Sequence, residues 1–461
     1  MSRILFHGGS IVSSEFAEAQ RGDLLIEGER ISKVGDFSVS DASVQRVDCS
    51  GKLLFPGLVD MHVHITSTPY SHAMLARAGV TSALDLGSRP EAMLQSLAKH
   101  GVGLNLGFLH TLVPGETVSG PNPGPEELEK CIDLALSQGA MGIKIIGGHR
   151  PMSAESIRSC IALCAQRRCW IAHHSGSVET PGNFYGFEES FQLAEGNPLH
   201  IAHINSYCRG DSGLQPLEEA HRAIELLKAH PNCRSESYLA LINGTSGRCA
   251  NDVPLSLVTC RCLRRRGYEC SRKGIEKAIQ DGWAKVRAND EERRLVYLMS
   301  PEEGLRRYRE ADSNVGISFE VNQPASSIPL AIAKDQDGAF VVDALSTDGG
   351  GHPRNLTFKL ALCLVEFGAL TLGELAYKGA EKPAQLMGLN ERGSLQPGKM
   401  ADIAIVEALS KEVWRTYAAG QMVFDGQQAC GQGGTLFTHA ENPQTDFPSY
   451  SVKPAWLEGG K

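Results

Sequence analysis

Leu53-Leu54-Phe55-Pro56-Gly57-Leu58-Val59-Asp60-Met61-His62-Val63-His64 decides the fold of this chain. A short apolar run that passes into alternating polar and apolar positions predicts a strand of a buried sheet. Side chains at i and i+2 of a strand share a face, so His62 and His64 can turn both imidazoles into one space. That geometry suits a metal ion, although two unrelated core or surface histidines would be spelled the same way. What the other strands carry at their ends separates the two.

Seven more apolar runs follow, most with a helical stretch after them: VTSALDL at 80–86, VGLNLGFL at 102–109, MGIKII at 141–146, CWIAHH at 169–174, LHIAHI at 199–204, SESYLAL at 235–241 and AFVVDAL at 339–345. Together with LLFPGLVD at 53–60 they predict an α/β fold, a (β/α)8 barrel over residues 57–389. Before it, ILFHGGSIV, DLLIEGERISKVG and VQRVDCSGKLLFPG show the alternation and Gly-rich punctuation of a small β-module that is incomplete alone. GSLQPGKMADIAIVE and QMVFDGQ have the same texture, so residues 1–56 and 390–430 are expected to form one domain that the chain leaves and re-enters. Residues 243–315 interrupt the rhythm and read as helical, which predicts an inserted cap or lid within the barrel. Residues 431–461, rich in Gly, Pro and polar side chains, read as an irregular extension.

The 461 residues are 42% hydrophobic and 21% charged, which describes a globular chain and excludes a disordered, collagenous or coiled-coil one. Lys and Arg number 45 against 53 Asp and Glu, a formal charge of −8 with no sustained basic block, so no nucleic-acid partner is expected. No apolar run approaches the roughly 18 residues of a membrane span, and no apolar leader precedes a small-residue cleavage site. The expected compartment is the cytoplasm, with no membrane partner. Thirteen scattered cysteines predict thiols rather than a disulfide framework. Cys233, Cys249, Cys260, Cys262 and Cys270 lack the paired spacing of a structural zinc site and read as free. The neighbouring Arg261, Arg264, Arg265 and Arg266 read as a solvated helix face, with attraction of an anionic substrate or a subunit contact as the alternatives.

The remaining chemistry sits at strand ends. His173 and His174 end CWIAHH, His203 ends LHIAHI, and Asp348 follows AFVVDAL. Barrel active sites gather at the C-terminal ends of the strands, so these residues and His62 and His64 are expected to converge on a metal. Lys144 lies inside MGIKII, where an ammonium is costly to bury without a partner. Two readings follow: a salt-bridged lysine, or an amine converted by carbon dioxide to a carbamate that bridges two cations.

FPGLVDMHVH at 55–64 resembles the signature of the amidohydrolase superfamily, and GSLQPGKMADIAIVE is similar to that superfamily's return to its β-sandwich. The likeness runs from the opening strands to about residue 430 and implies a distorted (β/α)8 TIM barrel with a small β-sandwich built from both termini. It implies the ligand set of the binuclear branch: His62 and His64 from strand one, a carboxylated Lys144 from strand four, His173 or His174 from strand five, His203 from strand six and Asp348 from strand eight. Placing WIAHHS on IAHINS selects His173, whereas the His-x-Gly pattern of isoaspartyl dipeptidases selects His174. His173 is the expected ligand, and its neighbour is left to loop or substrate contacts.

Two divalent ions about 3.5–4 Å apart can hold a bridging water and lower its pKa, so that hydroxide attacks a carbonyl. Asp348 would accept the proton and pass it to the leaving nitrogen. Zinc is the default metal, with manganese, iron and cobalt compatible with the same donors. GIKIIGGHRP, His203-Ile204-Asn205 and Ser346-Thr347-Asp348-Gly349-Gly350 resemble isoaspartyl dipeptidase and D-aminoacylases, although the Lys-to-His-Arg spacing is one residue shorter here. That likeness implies Arg150 on a substrate carboxylate, Asn205 on the substrate backbone, and Tyr207 and His352 at the pocket mouth. A solvated charge for Arg150 and loop roles for Tyr207 and His352 are the alternatives. The expected partner is a small amide bearing a carboxylate, and the expected assembly a homo-oligomer. Three functions compete: hydrolysis of an N-acyl (D-)amino acid or isopeptide, a cyclic amidase of the dihydroorotase, hydantoinase or enamidase kind, and a non-enzymatic dihydropyrimidinase-related scaffold. The complete ligand set argues against the last.

Overall fold

A computed structural model describes residues 2–458. Eight strands run parallel around a barrel: β1 (Leu58–His64), β2 (Val80–Ser88), β3 (Val102–Leu112), β4 (Gly142–Ile145), β5 (Trp170–His173), β6 (Leu199–Ile201), β7 (Cys233–Ser237) and β8 (Ala344–Leu345). The ring closes just past β8, where Gly349 and Gly350 pair in parallel with Val63 and His64 of β1. Alternation explains the packing. Trp170 and Ala172 of β5 join Leu84, Leu86, Leu109 and Ala202 inside the barrel. Ile171 of β5, Ile143 and Ile145 of β4 and Leu199 and Ile201 of β6 face outward. The outer helices bury apolar stripes against them. In Ala154–Gln166 the stripe is Ile157, Cys160, Ile161 and Cys164, and the Ser153 side chain caps the first turn by accepting from Ser156 N.

Strands from the two termini form one eight-stranded sheet, joined where Lys52–Pro56 pairs antiparallel with Ile403–Glu407. The decisive stretch is therefore shared: its first residues belong to this sheet, and the barrel starts at Leu58.

Three expectations need correction. The insertion is mixed rather than helical. Helices Leu257–Arg264, Arg272–Gln280 and Pro301–Glu310 pack with a four-stranded antiparallel sheet that includes the hairpin of Ala284–Asp290 and Leu295–Leu298. Ala284 and Val286 alternate with Lys285 and Arg287, and this period-2 burial overrides the helix-forming Glu291, Glu292 and Arg293, which make only the turn. The module has its own core around Ile275, Ile279, Trp283, Ile317 and Phe319. Within it Cys260 and Cys270 form a disulfide, against the thiols expected there, while Cys233, Cys249 and Cys262 are free. It rests on the barrel mouth: Arg287 Nη1 donates to Gly351 O at 2.9 Å, and Thr68 Oγ1 donates to Asn289 Oδ1 at 3.1 Å.

The tail is likewise ordered structure. Gly433–Thr438 pairs in parallel with the start of β3, and Phe437, Trp456 and Leu457 enter the interior core from the floor. Trp456 meets Trp170 edge-on with ring centroids 4.9 Å apart. Among the described residues no helix is long and apolar enough to cross a membrane.

Candidate active site

A register shift in β1 between Asp60 and Val63 lets neighbouring residues both serve the interior. Met61 packs in the floor, and His62 lines the cavity above it. His64 follows two residues on. Asp60 stays beneath as a strut, accepting from His62 N at 3.0 Å and from Thr347 Oγ1 at 2.6 Å. The Thr347 bond ties the first strand to the segment that carries Asp348.

The cavity at the C-terminal end of the barrel has a volume of about 280 Å³ and is lined by His62, His64, Lys144, His174, His203 and Asp348, among others. His62 Nε2 lies 3.3 Å and His64 Nε2 3.0 Å from Asp348 Oδ1. Ligand atoms of these three residues lie within 4.8 Å of one another, so they could hold a metal ion. His203 Nε2 stands 3.0 Å from His174 Nδ1. His203 and Asp348 both adopt left-handed backbone, φ 39° and 49°, at the points where the chain leaves the barrel wall. Non-glycine residues hold such conformations only where the surroundings enforce them, as they do at functional sites. Lys144 Nζ is buried and, among the described residues, has no hydrogen-bond partner.

The electrostatics favour cations over protons. Burial, followed by the Lys144 and His203 charges, holds His62 well below the usual imidazole range, and burial does the same to His174 and His203. Neutral imidazoles are the form that ligates. Burial lowers Lys144 to about 8, with Glu236 and Asp348 working against it. Burial works to raise Asp348, yet Arg354, His64 and His203 together keep its carboxyl below the ordinary range. Arg354 Nη2 sits 2.7 Å from Asp348 Oδ1. An acid so held offers oxygen to a cation more readily than to a proton.

The cavity takes His174 and leaves His173 outside, the reverse of the expected ligand. Trp170 and Ala172 point inward, so two residues on it is His174 that does the same. His173 turns toward the helix layer, with Nδ1 3.2 Å from Ser190 Oγ. Gly148 makes the room: a Cβ there would stand 2.1 Å from His174 Nε2.

Four proposed substrate contacts also change. Arg150 pairs with Glu116 at the surface and does not line the cavity, because its loop leaves the mouth before reaching it. Asn205 is buried, and its Oδ1 accepts from Tyr238 N at 3.0 Å, which makes it a strut between the loops after β6 and β7. The Tyr207 hydroxyl accepts from Ser175 N at 2.8 Å, and its ring backs His203 at 5.3 Å. His352 stands behind His64, ring centroids 5.4 Å apart, with Nδ1 accepting from Arg287 Nη1 at 3.0 Å. All three brace residues of the cavity wall.

Three polar residues that the sequence reading passed over, Glu236, Arg209 and Arg354, are present instead, and with them Arg261, which had read as part of a solvated helix face. Glu236, fully buried on β7, accepts from His62 Nδ1 at 2.7 Å and from His203 N at 2.6 Å. Burial pushes its carboxyl well above the usual range. Arg209, Arg261 and Arg354 line the cavity. Glu236 carried the same signal as Lys144, a charge inside a short strand; Arg209 and Arg354 lie in loops, with no such signal, and Arg261 stood out only as one of a run of arginines.

A model described as the amidohydrolase family matches residues 266–453. A D-aminoacylase of Alcaligenes xylosoxydans xylosoxydans is 38% identical over 452 residues, covering 88% of this chain and 88% of that protein. A dihydroorotase of Geobacter metallireducens is 23% identical over 438 residues, covering 89% of this chain and 91% of its own. The fold is shared with an N-acyl-D-glutamate deacylase of Bordetella bronchiseptica, solved with zinc and a phosphonate inhibitor, at TM-score 0.66 and 18% identity over 94% of this chain and 98% of that one. With its barrel, its terminal sheet and a histidine-aspartate cluster at the strand ends, the chain belongs to the amidohydrolase family, whose members hydrolyse carbon–nitrogen bonds.

Proposed function

We propose that this enzyme hydrolyses an N-acyl (D-)amino acid or an isopeptide-like amide, using two divalent ions, zinc by default, and a carboxylated Lys144. The observation that carries the reading is the Lys144 amine, buried in a wall of neutral imidazoles with no hydrogen-bond partner among the described residues. Addition of the neutral amine to carbon dioxide forms a C–N bond and releases a proton, replacing a cation that would repel metals with an anionic oxygen donor. His62, His64 and Asp348 would hold one ion and His174 and His203 the other, and a carboxylated Lys144 would add an anionic oxygen donor. Divalent ions there supply Lewis acidity and bring the pKa of a water toward neutrality.

The chain's own groups do the rest. Glu236 fixes His62 with Nδ1–H donated to it, so that Nε2 presents its lone pair to the cavity. Asp348, tied by Asp60 and Thr347 to β1, takes up the proton of the attacking water and returns it to the leaving nitrogen. A volume of about 280 Å³ suits a small amide rather than a polypeptide. The likeness to a D-aminoacylase supports the linear N-acyl substrate, and the likeness to dihydroorotases keeps the cyclic amide as the second reading.

The test is metal counting by mass spectrometry on protein purified without chelator, paired with assays on N-acetyl-D-amino acids, dihydroorotate and hydantoins. We expect about two metals per chain and release of free amino acid. Ring opening without amino-acid release would move the reading to cyclic amides. No product from either panel, with both metals bound, would overturn it.

A further inference from the structure

The cavity holds more positive charge than the reaction uses. Asp348 answers Arg354 at 2.7 Å. Arg209 and Arg261 line the same cavity and, among the described residues, neither is paired with a carboxylate. Asp211, in the adjoining wall, is taken by Arg265 at 2.6 Å. Both guanidiniums are held by neutral groups instead. Arg209 donates from Nε and Nη2 to Asn322 Oδ1 at 2.9 and 2.7 Å, and from Nη2 to Ser206 Oγ at 3.1 Å. Arg261 donates from Nη2 to Gly148 O at 3.0 Å. These bonds orient each fork without neutralising it. They also anchor the two forks to the loops that follow His203 and Lys144, which sets them at a fixed offset from the reacting centre. Two half-buried cations kept apart from protein anions are costly unless a ligand brings the missing charge.

We infer that Arg209 and Arg261 form an anion clamp for a doubly acidic substrate, an N-acyl amino acid with a carboxylate on its side chain as well as the α-carboxylate. This deepens the proposed amide hydrolysis and rests on it. One guanidinium would take each carboxylate, so the charges cancel in pairs. Arg261 belongs to the helix Leu257–Arg264 of the inserted module, so the module completes the substrate site and selects the side chain.

The experiment compares the metal-loaded enzyme on N-acetylglutamate and N-acetylglutamine, each as both enantiomers. The pair differs only in the second charge. We expect kcat/KM to favour the acid by about 100-fold, and Arg261→Met and Arg209→Met each to cut that ratio by at least about 10-fold. Arg261→Lys, which keeps the charge and loses the fork, should retain part of the preference. A ratio is insensitive to loss of folded enzyme. Equal turnover of the two substrates, or variants that leave the ratio intact, would overturn the clamp while leaving amide hydrolysis standing. Calorimetry with glutarate and its monoamide separates the remaining case. If no N-acyl amino acid is cleaved, tighter binding of glutarate that both methionine variants abolish still supports the clamp, and equal binding of the two probes overturns it.

Discussion

The residue that most constrains the cluster is Glu236. It holds two groups at once, the His62 ring and the His203 backbone, from a strand that carries neither. A neutral imidazole presents one lone pair, and the partner of its other nitrogen decides which nitrogen that is. Removing the carboxylate frees the His62 ring to turn and leaves two donors unanswered in the barrel interior. We expect Glu236→Ala to weaken metal binding by about 10–100-fold, read by chelator competition, with circular dichroism unchanged. Glu236→Gln can still accept both bonds through its amide oxygen, so it should retain more affinity than alanine. Equal loss in the two variants would show that charge, rather than orientation, is what Glu236 contributes. Lys144 and Glu236 looked alike in the sequence, each a charge within a short strand. Only the lysine stood out: strand seven was read as 235–241, which put Glu236 second from its start, whereas the strand runs Cys233–Ser237 and holds Glu236 in the wall.

At the scale of elements, the cavity-lining positions were legible because strand ends are. Each of the eight apolar runs contains part of a barrel strand, and the His-x-His pair, Lys144, His203 and Asp348 all line the cavity at the C-terminal rim. What was not legible was phase. His173 and His174 differ by one residue, and a one-residue difference reverses the face. The inward Trp170 and Ala172 settle the phase, but a four-residue strand shows too few side chains to reveal it from the letters. His174→Ala should therefore lower the metal count, whereas His173→Ala should leave it intact and cost about 1–3 kcal/mol of stability through the lost packing of a buried ring. The opposite pattern would return the ligand role to His173. Another buried group makes its own element sensitive to pH. Lys378, in the turn Tyr377–Glu381, donates to Ala331 O at 2.7 Å and lies 4.3 Å over the Phe340 ring. Burial lowers it to about 7 from an ordinary 10.5, with Asp343 and Glu374 opposing. The folded state then binds fewer protons than the unfolded one between those values, so Lys378 adds stability as pH rises from 7 toward 10.5 and withdraws it as pH falls through 7. Denaturant titrations of wild type and Lys378→Met should differ in slope over that window, by up to about 1.4 kcal/mol per pH unit. Parallel curves would mean the amine is solvated or paired in solution.

At the scale of the whole molecule, both ends of the chain return to the barrel, and they do so at different levels. The first strands and Ile403–Phe424 build the side sheet, which was foreseen because glycine punctuation and alternation survive in both segments. The last segment was read as loose because its apolar residues are few and widely spaced: Leu436, Phe437, Trp456 and Leu457 are separated by polar and proline-rich chain. Sparse apolar residues look like surface unless their common destination is known. Here that destination is the barrel floor, where β5 and its neighbours leave a gap that Phe437 and Trp456 fill beneath the catalytic level. The same Trp170 that meets Trp456 sits four residues before His174, so the floor and the site share one short strand. Loss of the plug should therefore be felt twice. Phe437→Ala is expected to cost about 3–5 kcal/mol, read as a lower unfolding midpoint in denaturant. Because the emptied floor lets β5 settle, it should also lower metal affinity without any change to a ligand. An exposed apolar residue of similar size, Phe367, supplies the control, since Phe367→Ala removes the ring from the surface and should change neither quantity. If Phe437→Ala lowers stability while metal affinity holds, the floor and the site are mechanically independent, and β5 is held by its neighbours alone.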